Sequence, residues 1–320
     1  MTLYPTRWVR LATHAPRLAW QLARSGIPSR GLLFGPLSLG DDLLCTAVLR
    51  EARRRDEPFT MFTARPELFA GNPDPSRLLP IDDYHLAALR RLGSRIVQPY
   101  YVRSDPFHAQ RDILPVRPII AEMCALAGLH GKIALRPYLH LTASERALGR
   151  LFPRQIALQS SGLAAAIPYS TKEWGAARFA AVARLLAPHT KLIQLGSTQD
   201  PALPVDADLR GRTTLREAAA ILDNSAAFVG LEGFLTHLAR AVDCPSVVVM
   251  GGRAPAAIFG YTANLNLTDY PACSPCALRT DCPHAMQCMS TLTPETVAAA
   301  TLEVVARPAA PLPVEIWDLP

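Results

Sequence analysis

The stretch Val229-Gly230-Leu231-Glu232-Gly233-Phe234-Leu235-Thr236-His237-Leu238-Ala239 constrains the fold more than any other part of this chain. Ala226 to Val229 reads as a buried strand that runs into a glycine turn. Glu232, Gly233 and His237 then follow as the next helix opens. An open α/β sheet presents a phosphate site in this way, with backbone N–H groups at a helix N-terminus at the carboxyl end of a strand. Glu232 at this mouth is suited to sugar hydroxyls and His237 to a diphosphate oxygen, with Gly233 and Thr236 in the same turn. The segment points to a nucleotide-sugar donor. Alone it is weak, because α/β domains contain several such turns, many of which bind nothing.

The rest of the chain alternates in the same manner. Gly31–Phe34 reads as a first strand, Gly35–Gly40 as a loop, Leu43–Arg55 as a helix and Pro58–Thr63 as a second strand. Helices near His85–Leu92 and Pro118–Ala127 flank a strand at Arg95–Gln98. Pro137–Gln155 is polar and proline-bearing, which suits a linker between domains. A second alternation begins at Ile156–Gln159. It continues through helix 174–187, with Trp174, Phe179, Val182, Leu185 and Leu186 on one face, then strand 191–195, helix 214–222, strand 226–229, helix 234–242 and strand 246–250. The expected fold class is α/β, with two Rossmann-like doubly wound domains facing a cleft. The expected limits are 1–150 and 151–300, with a tail, 301–320, that folds back across the first domain.

At 320 residues the chain is long enough for two cores. Its net charge of +6 is almost all arginine, since only Lys132, Lys172 and Lys191 are lysines among 33 basic residues. Arginine suits an anionic partner, and codon bias accounts for the excess equally well. No block of like charges and no aromatic-basic run points to nucleic acid. No apolar run approaches a membrane span. Residues 4–25 mix Trp8, Val9, Leu11, Leu18, Trp20 and Leu22 with Arg7, Arg10, Arg17 and Arg24. They read either as a helix packed on the first domain or as a basic amphipathic helix on an anionic membrane surface. The expected location is the cytoplasm, with a peripheral contact at the inner membrane as the second reading.

Cys45, Cys124 and Cys244 sit in apolar contexts and read as buried thiols. The other four follow Cys273-x2-Cys276-x5-Cys282-x5-Cys288, within a turn-rich segment from Ala272 to Met289. Four thiolates in a reducing compartment suit a structural tetrahedral zinc or iron site, which leaves no open position for catalysis. Free thiols and disulfides are the rival readings, and His284 reads as a bystander.

Four stretches together resemble the bacterial heptosyltransferases and their relatives, glycosyltransferase family nine. They are Leu39-Gly40-Asp41-Asp42-Leu43-Leu44 with Leu49-Arg50, and Pro66-Glu67-Leu68-Phe69-Ala70-Gly71-Asn72-Pro73. The third is Lys172-Glu173-Trp174 with Phe179. The fourth is Leu215-Arg216-Glu217 through Val229–Ala239 to Met250-Gly251-Gly252. The similarity spans about Gly31 to Ala300. It implies the two-domain GT-B fold and an inverting sugar transfer, commonly from an ADP-heptose, with no catalytic metal. It makes Asp41 the general base, a position that otherwise reads as a helix N-cap. It makes Lys172 a donor-phosphate ligand rather than a solvated surface lysine, with Thr171 beside it among the candidate donor-site residues. Asp200, after Leu195-Gly196-Ser197, stands where a ribose-binding carboxylate would sit at the end of a strand. Some relatives carry a cysteine-rich finger after the last strand, here 272–289. The family often has Asp-Thr-Gly or Glu-Gly-Gly where this chain has Glu232-Gly233-Phe234, so Phe234 stands where glycine would admit the diphosphate.

Two function classes follow. One is a glycosyltransferase acting on a lipopolysaccharide core sugar, a protein hydroxyl or a small metabolite, as a monomer or a homo-oligomer. The other is a non-catalytic, metal-stapled scaffold in which Phe234 closes the donor site. The joint presence of Asp41, Lys172, Glu232 and His237 favours the enzyme. A nicotinamide-dependent oxidoreductase is excluded because neither first strand leads into Gly-x-Gly-x-x-Gly.

Overall fold

The computed structural model describes residues 26–35, 38–81, 83–308 and 310–320. The amphipathic segment 4–25 lies outside the described residues. In the first half, β1 (Arg30–Leu33), β2 (Thr60–Thr63), β3 (Arg77–Pro80) and β4 (Arg95–Val97) form a parallel sheet of order β3-β2-β1-β4. Gly31 pairs with Thr60 on one side and Ile96 on the other. A side chain at Gly31 would run into the ring of Phe62, which is why glycine stands at this position of the strand. Helix α1 (Leu39–Arg53) carries Asp41 and Asp42 in its first turn and Arg50 and Arg53 in its last, the arrangement its dipole favours. It is buried from Asp42 to Ala52 because it is covered on both sides.

Helices α2 (Asp83–Arg91) and α3 (Ile119–Leu126) complete this half, with a two-stranded hairpin, β5 (Arg103–Ser104) and β6 (Asp112–Ile113), between them. Strand β7 (Gly131–Ala134) pairs antiparallel with β14 (Ile316–Leu319), so the tail returns to the first half. The expected linker contains a short helix, α4 (Ala143–Leu148). Thr142 and Glu145 close it with a reciprocal capping box.

The second half is a six-stranded parallel sheet of order β10-β9-β8-β11-β12-β13. Its strands are β8 (Ile156–Leu158), β9 (Leu192–Gln194), β10 (Ala207–Asp208), β11 (Ala227–Leu231), β12 (Ser246–Val249) and β13 (Leu265–Leu267). Helices α5 (Ala176–Leu186), α6 (Leu215–Asp223), α7 (Phe234–Ala241), α8 (Ala256–Phe259), α9 (Gln287–Ser290) and α10 (Pro294–Ala306) surround it. On α5 the buried stripe is Phe179, Val182, Ala183 and Leu186, while Leu185 is 40% exposed. The expected face was therefore one residue too wide: 3.6 residues per turn carry position 185 away from the sheet.

One apolar cluster runs through both halves, from Leu32 and Val48 to Leu235 and Leu238. The helices that meet there are α1 and α7, and Gly40 is the point of closest approach. A Cβ at Gly40 would lie 3.3 Å from the His237 ring and 3.6 Å from the Phe234 backbone. A second cluster covers the far face of the second sheet, where α10 packs beside α5.

Candidate active site

In both sheets the strand order reverses at one point, between β1 and β4 and between β8 and β11. Loops diverge there and leave a crevice at the carboxyl ends of the strands. The two crevices face one another as a single cleft of about 860 Å³. Its lining includes Asp41, Tyr101, Lys172, Asp200, Glu232, Gly233 and His237.

On the first wall, Ser38 occupies the N-cap of α1 and Asp41 lies inside its first turn, so Asp41 is not the cap. Its carboxylate instead accepts a hydrogen bond from the Tyr101 hydroxyl at 2.5 Å, and Ser38 contributes another. Burial raises the Asp41 pKa to about 6, against the lowering effects of Tyr101, Ser38 and Lys172. Neighbouring Asp42 faces away from this pair: its Oδ2 accepts from Thr63 at 3.0 Å and Arg65 at 3.1 Å. Burial lifts its pKa to about 6 as well.

On the second wall, the Lys172 ammonium is ion-paired with the Glu232 carboxylate. Burial alone would raise the Glu232 pKa, but the charge of Lys172, then His237, then Arg253 outweighs it and the net shift is downward. His237 is buried, and desolvation lowers its pKa to about 4. It is therefore neutral at pH 7, with Nδ1 2.7 Å from the Tyr261 hydroxyl. A side chain at Gly233 would meet nothing within 4 Å, so space in front of the α7 N-terminus is open. Phe234 lines the cleft with its backbone against Gly40.

The other expected donor residues divide. Asp200 is buried in the lining, and its Oδ2 accepts from the Ser197 N–H at 2.9 Å. Thr171 and Thr236 lie outside the lining. The Thr171 hydroxyl donates to the Leu278 carbonyl at 2.5 Å, and that of Thr236 to the Leu231 carbonyl at 2.7 Å. Both hydroxyls anchor the turns that carry Lys172 and His237.

Sequence reasoning missed Tyr101, Tyr169, Arg253 and Arg279. Arg253 is buried, with its guanidinium 4.5 Å from the Tyr169 ring centroid and ion-paired with Asp112. Arg279 binds the same carboxylate at 2.5 Å. Asp112 belongs to the first half, so this cluster ties the β5–β6 hairpin to the segment that holds the four cysteines. A backbone bridge between Arg111 and Leu278 and the Asp112 N–H to Ala277 carbonyl bond (3.0 Å) run alongside it.

Cys45, Cys124 and Cys244 are buried free thiols. Cys273, Cys276, Cys282 and Cys288 are partly exposed and unpaired. Burial raises the Cys288 thiol, and the thiols of Cys276, Cys282 and Cys273 add to the effect, so the four share one electrostatic neighbourhood. Among the described residues no three His, Cys, Asp or Glu side chains are gathered closely enough to hold an ion. The donor chemistry suits zinc or iron, whereas a ligand shell is not assembled.

Residues 163–284, which include Lys172, Glu232 and His237, match the family model described as Glycosyltransferase family 9 (heptosyltransferase). That stretch is similar to the family 9 heptosyltransferases. The backbone likeness is wider than that stretch. Against the iron-containing dodecameric glycosyltransferase TibC from enterotoxigenic E. coli H10407 the TM-score is 0.66, at 16% identity over 87% of this chain and 76% of the other. Against E. coli ADP-heptose lps heptosyltransferase II it is 0.63, at 15% identity over 86% and 98%. Against a family 9 glycosyl transferase from Veillonella parvula DSM 2008 it is 0.60, at 13% identity over 87% and 97%. Identities this low establish a shared fold. No curated protein sequence matches the chain.

Proposed function

We propose that this chain is an inverting glycosyltransferase that moves heptose from an ADP-heptose to an acceptor hydroxyl. One observation carries the reading: Asp41 faces Lys172, Glu232 and His237 across a single cleft at both strand-order reversals. The acceptor hydroxyl gives its proton to Asp41 as its oxygen bonds the anomeric carbon. The bond from that carbon to the diphosphate breaks, and the departing charge falls on Lys172 and the N-terminus of α7. A carboxylate raised to about pH 6 is a stronger base than an ordinary aspartate and is still ionised at pH 7. His237, neutral at that pH, serves as a hydrogen-bond partner rather than a second cation. TibC has been solved in complex with ADP-D-beta-D-heptose, which supports that donor class. The open space before Gly233 favours the enzyme over the scaffold.

The acceptor in this reading is a lipopolysaccharide core sugar or a protein hydroxyl met in the cytoplasm, with residues 4–25 as the peripheral membrane contact. Among the described residues no helix is long and apolar enough to cross a membrane. Cys273, Cys276, Cys282 and Cys288 would hold a structural zinc or iron that draws the loop together without touching the donor. TibC is described as iron-containing and dodecameric, which supports both the metal and a homo-oligomer here. The test is Asp41→Asn, assayed for transfer from ADP-heptose and, by calorimetry, for ADP binding. Transfer is expected to vanish while ADP binds as before. Near-normal transfer would falsify the base assignment, and no binding of ADP to the unaltered protein would favour the scaffold.

A further inference from the structure

We propose that Tyr101 is a positioning residue for Asp41, held in place by Phe259 of the opposite domain, so that the base is set in its working geometry only when the two halves are closed on one another. This rests on Asp41 as the base. The hydroxyl of Tyr101 donates to Asp41 Oδ1 at 2.5 Å from the loop that follows β4, on the far side of the strand-order reversal from α1. That bond fixes the carboxylate rotamer and reserves one oxygen, and an oriented base is worth far more than a mobile one. The ring of Tyr101 stands 5.9 Å from Phe34 in its own half and 6.2 Å from Phe259 in the other, both as tilted or edge contacts. Phe259 belongs to α8 and lines the same cleft. The aromatic contact thus crosses from one half to the other at the base itself. Burial, then the charge of Asp41, holds the Tyr101 phenol well above its ordinary pKa, so it remains a donor throughout the working range. The other groups facing Asp41 are Ser38, Lys172 and Glu232, with the neutral His237 ring beside Gly40.

The experiment titrates Asp41 directly, by NMR of carboxyl-13C aspartate, with the Asp41 signal assigned through its loss in Asp41→Asn. The midpoint in the unaltered protein is expected at about 6. Tyr101→Phe removes the donor to the charged form and should raise the midpoint by about one unit, roughly tenfold in proton affinity. The acid limb of ADP release from ADP-heptose, with water as the acceptor, should move with it. Its limiting rate should fall about tenfold and its KM for donor should stay unchanged. Phe259→Leu keeps the hydroxyl and should produce a smaller shift in the same direction, which covers the case in which Tyr101→Phe folds poorly. A role in packing alone would lower stability and leave the midpoint where it was; that outcome for both variants overturns the proposal. Loss of ADP release in Asp41→Asn together with unmoved midpoints would leave the base standing and remove Tyr101. Persistence of release in Asp41→Asn would remove the base.

Discussion

The ammonium of Lys172 rests on the carboxylate of Glu232, and the pair stands on the second wall of the cleft. Each is partly buried, at 22% and 10% side-chain exposure, so each partner depends on the other for its solvation. A diphosphate entering beside Gly233 competes with Glu232 for the same cation. Replacing Lys172 by Met should therefore weaken ADP binding about ten- to hundredfold, the range for a lost charge-assisted hydrogen bond. Glu232→Ala should act differently: ADP is held at least as tightly, and the preference for ADP-heptose over ADP is lost. Calorimetry with the two ligands separates these outcomes, and equal losses in both variants would sink the assignment.

Asp41 should cost the protein stability. Its pKa is raised from 3.8 to about 6 on folding, so the folded state binds the proton more tightly than the unfolded chain. The penalty is absent below about pH 4, grows as pH rises, and is complete above about pH 6. Asp41→Asn should then be more stable than the unaltered protein by about 1–3 kcal/mol at pH 7.5, with the advantage gone at pH 4. His237 acts in the opposite sense: its pKa is depressed to about 4, so its contribution is full above 6.5 and is lost as pH falls. Both proteins share that term, and it drops out of their difference. Urea titrations across this range check the claim, and a difference independent of pH would contradict it.

Asp112 should be a point of structural weakness. Its side chain is fully buried between Arg253 and Arg279, which join the β5–β6 hairpin to the cysteine-bearing segment. Asp112→Ala leaves the buried Arg253 without its counter-charge, a change that costs about 3–5 kcal/mol when one partner of a buried pair is removed. A much smaller loss in chemical denaturation would mean that water reaches this cluster.

The repeating βα pattern was legible because each central strand is a short apolar run bounded by turn residues, as at Ile156–Leu158 and Ser246–Val249. Edge and outlying strands were not. Arg77–Pro80 alternates between half-buried and exposed positions, Leu265–Leu267 is half-buried throughout, and Ile316–Leu319 gains its partner from 131–134. Glu232 could be singled out because it stands in a strand-to-helix turn, and Asp41 only through the family resemblance, since its place at a helix start otherwise reads as a cap. Tyr101 could not: its bond to Asp41 spans 60 residues and exists because β4 lies beside β1, a neighbour relation that no local pattern encodes. Thr171 shows the same limit. It neighbours Lys172 in sequence, but its hydroxyl donates to the carbonyl of Leu278, 107 residues away.

That last contact makes the cysteine segment a test of how the proposed donor site is supported. Leu278 and Arg279 lie between Cys276 and Cys282; their carbonyls receive the Thr171 hydroxyl and N–H, and Lys172 follows directly. A zinc or iron on Cys273, Cys276, Cys282 and Cys288 would fix these carbonyls, because a tetrathiolate shell holds its loop to a single conformation. Elemental analysis of the intact protein is expected to give about one metal per chain. Cys276→Ser combined with Cys282→Ser should abolish it and weaken ADP binding severalfold through Lys172. The Asp41 titration, governed by Tyr101 on the opposite wall, should not change. A metal-free protein whose ADP affinity is indifferent to these substitutions would reduce the segment to a packed loop held by its contacts with Asp112, Arg111 and Thr171.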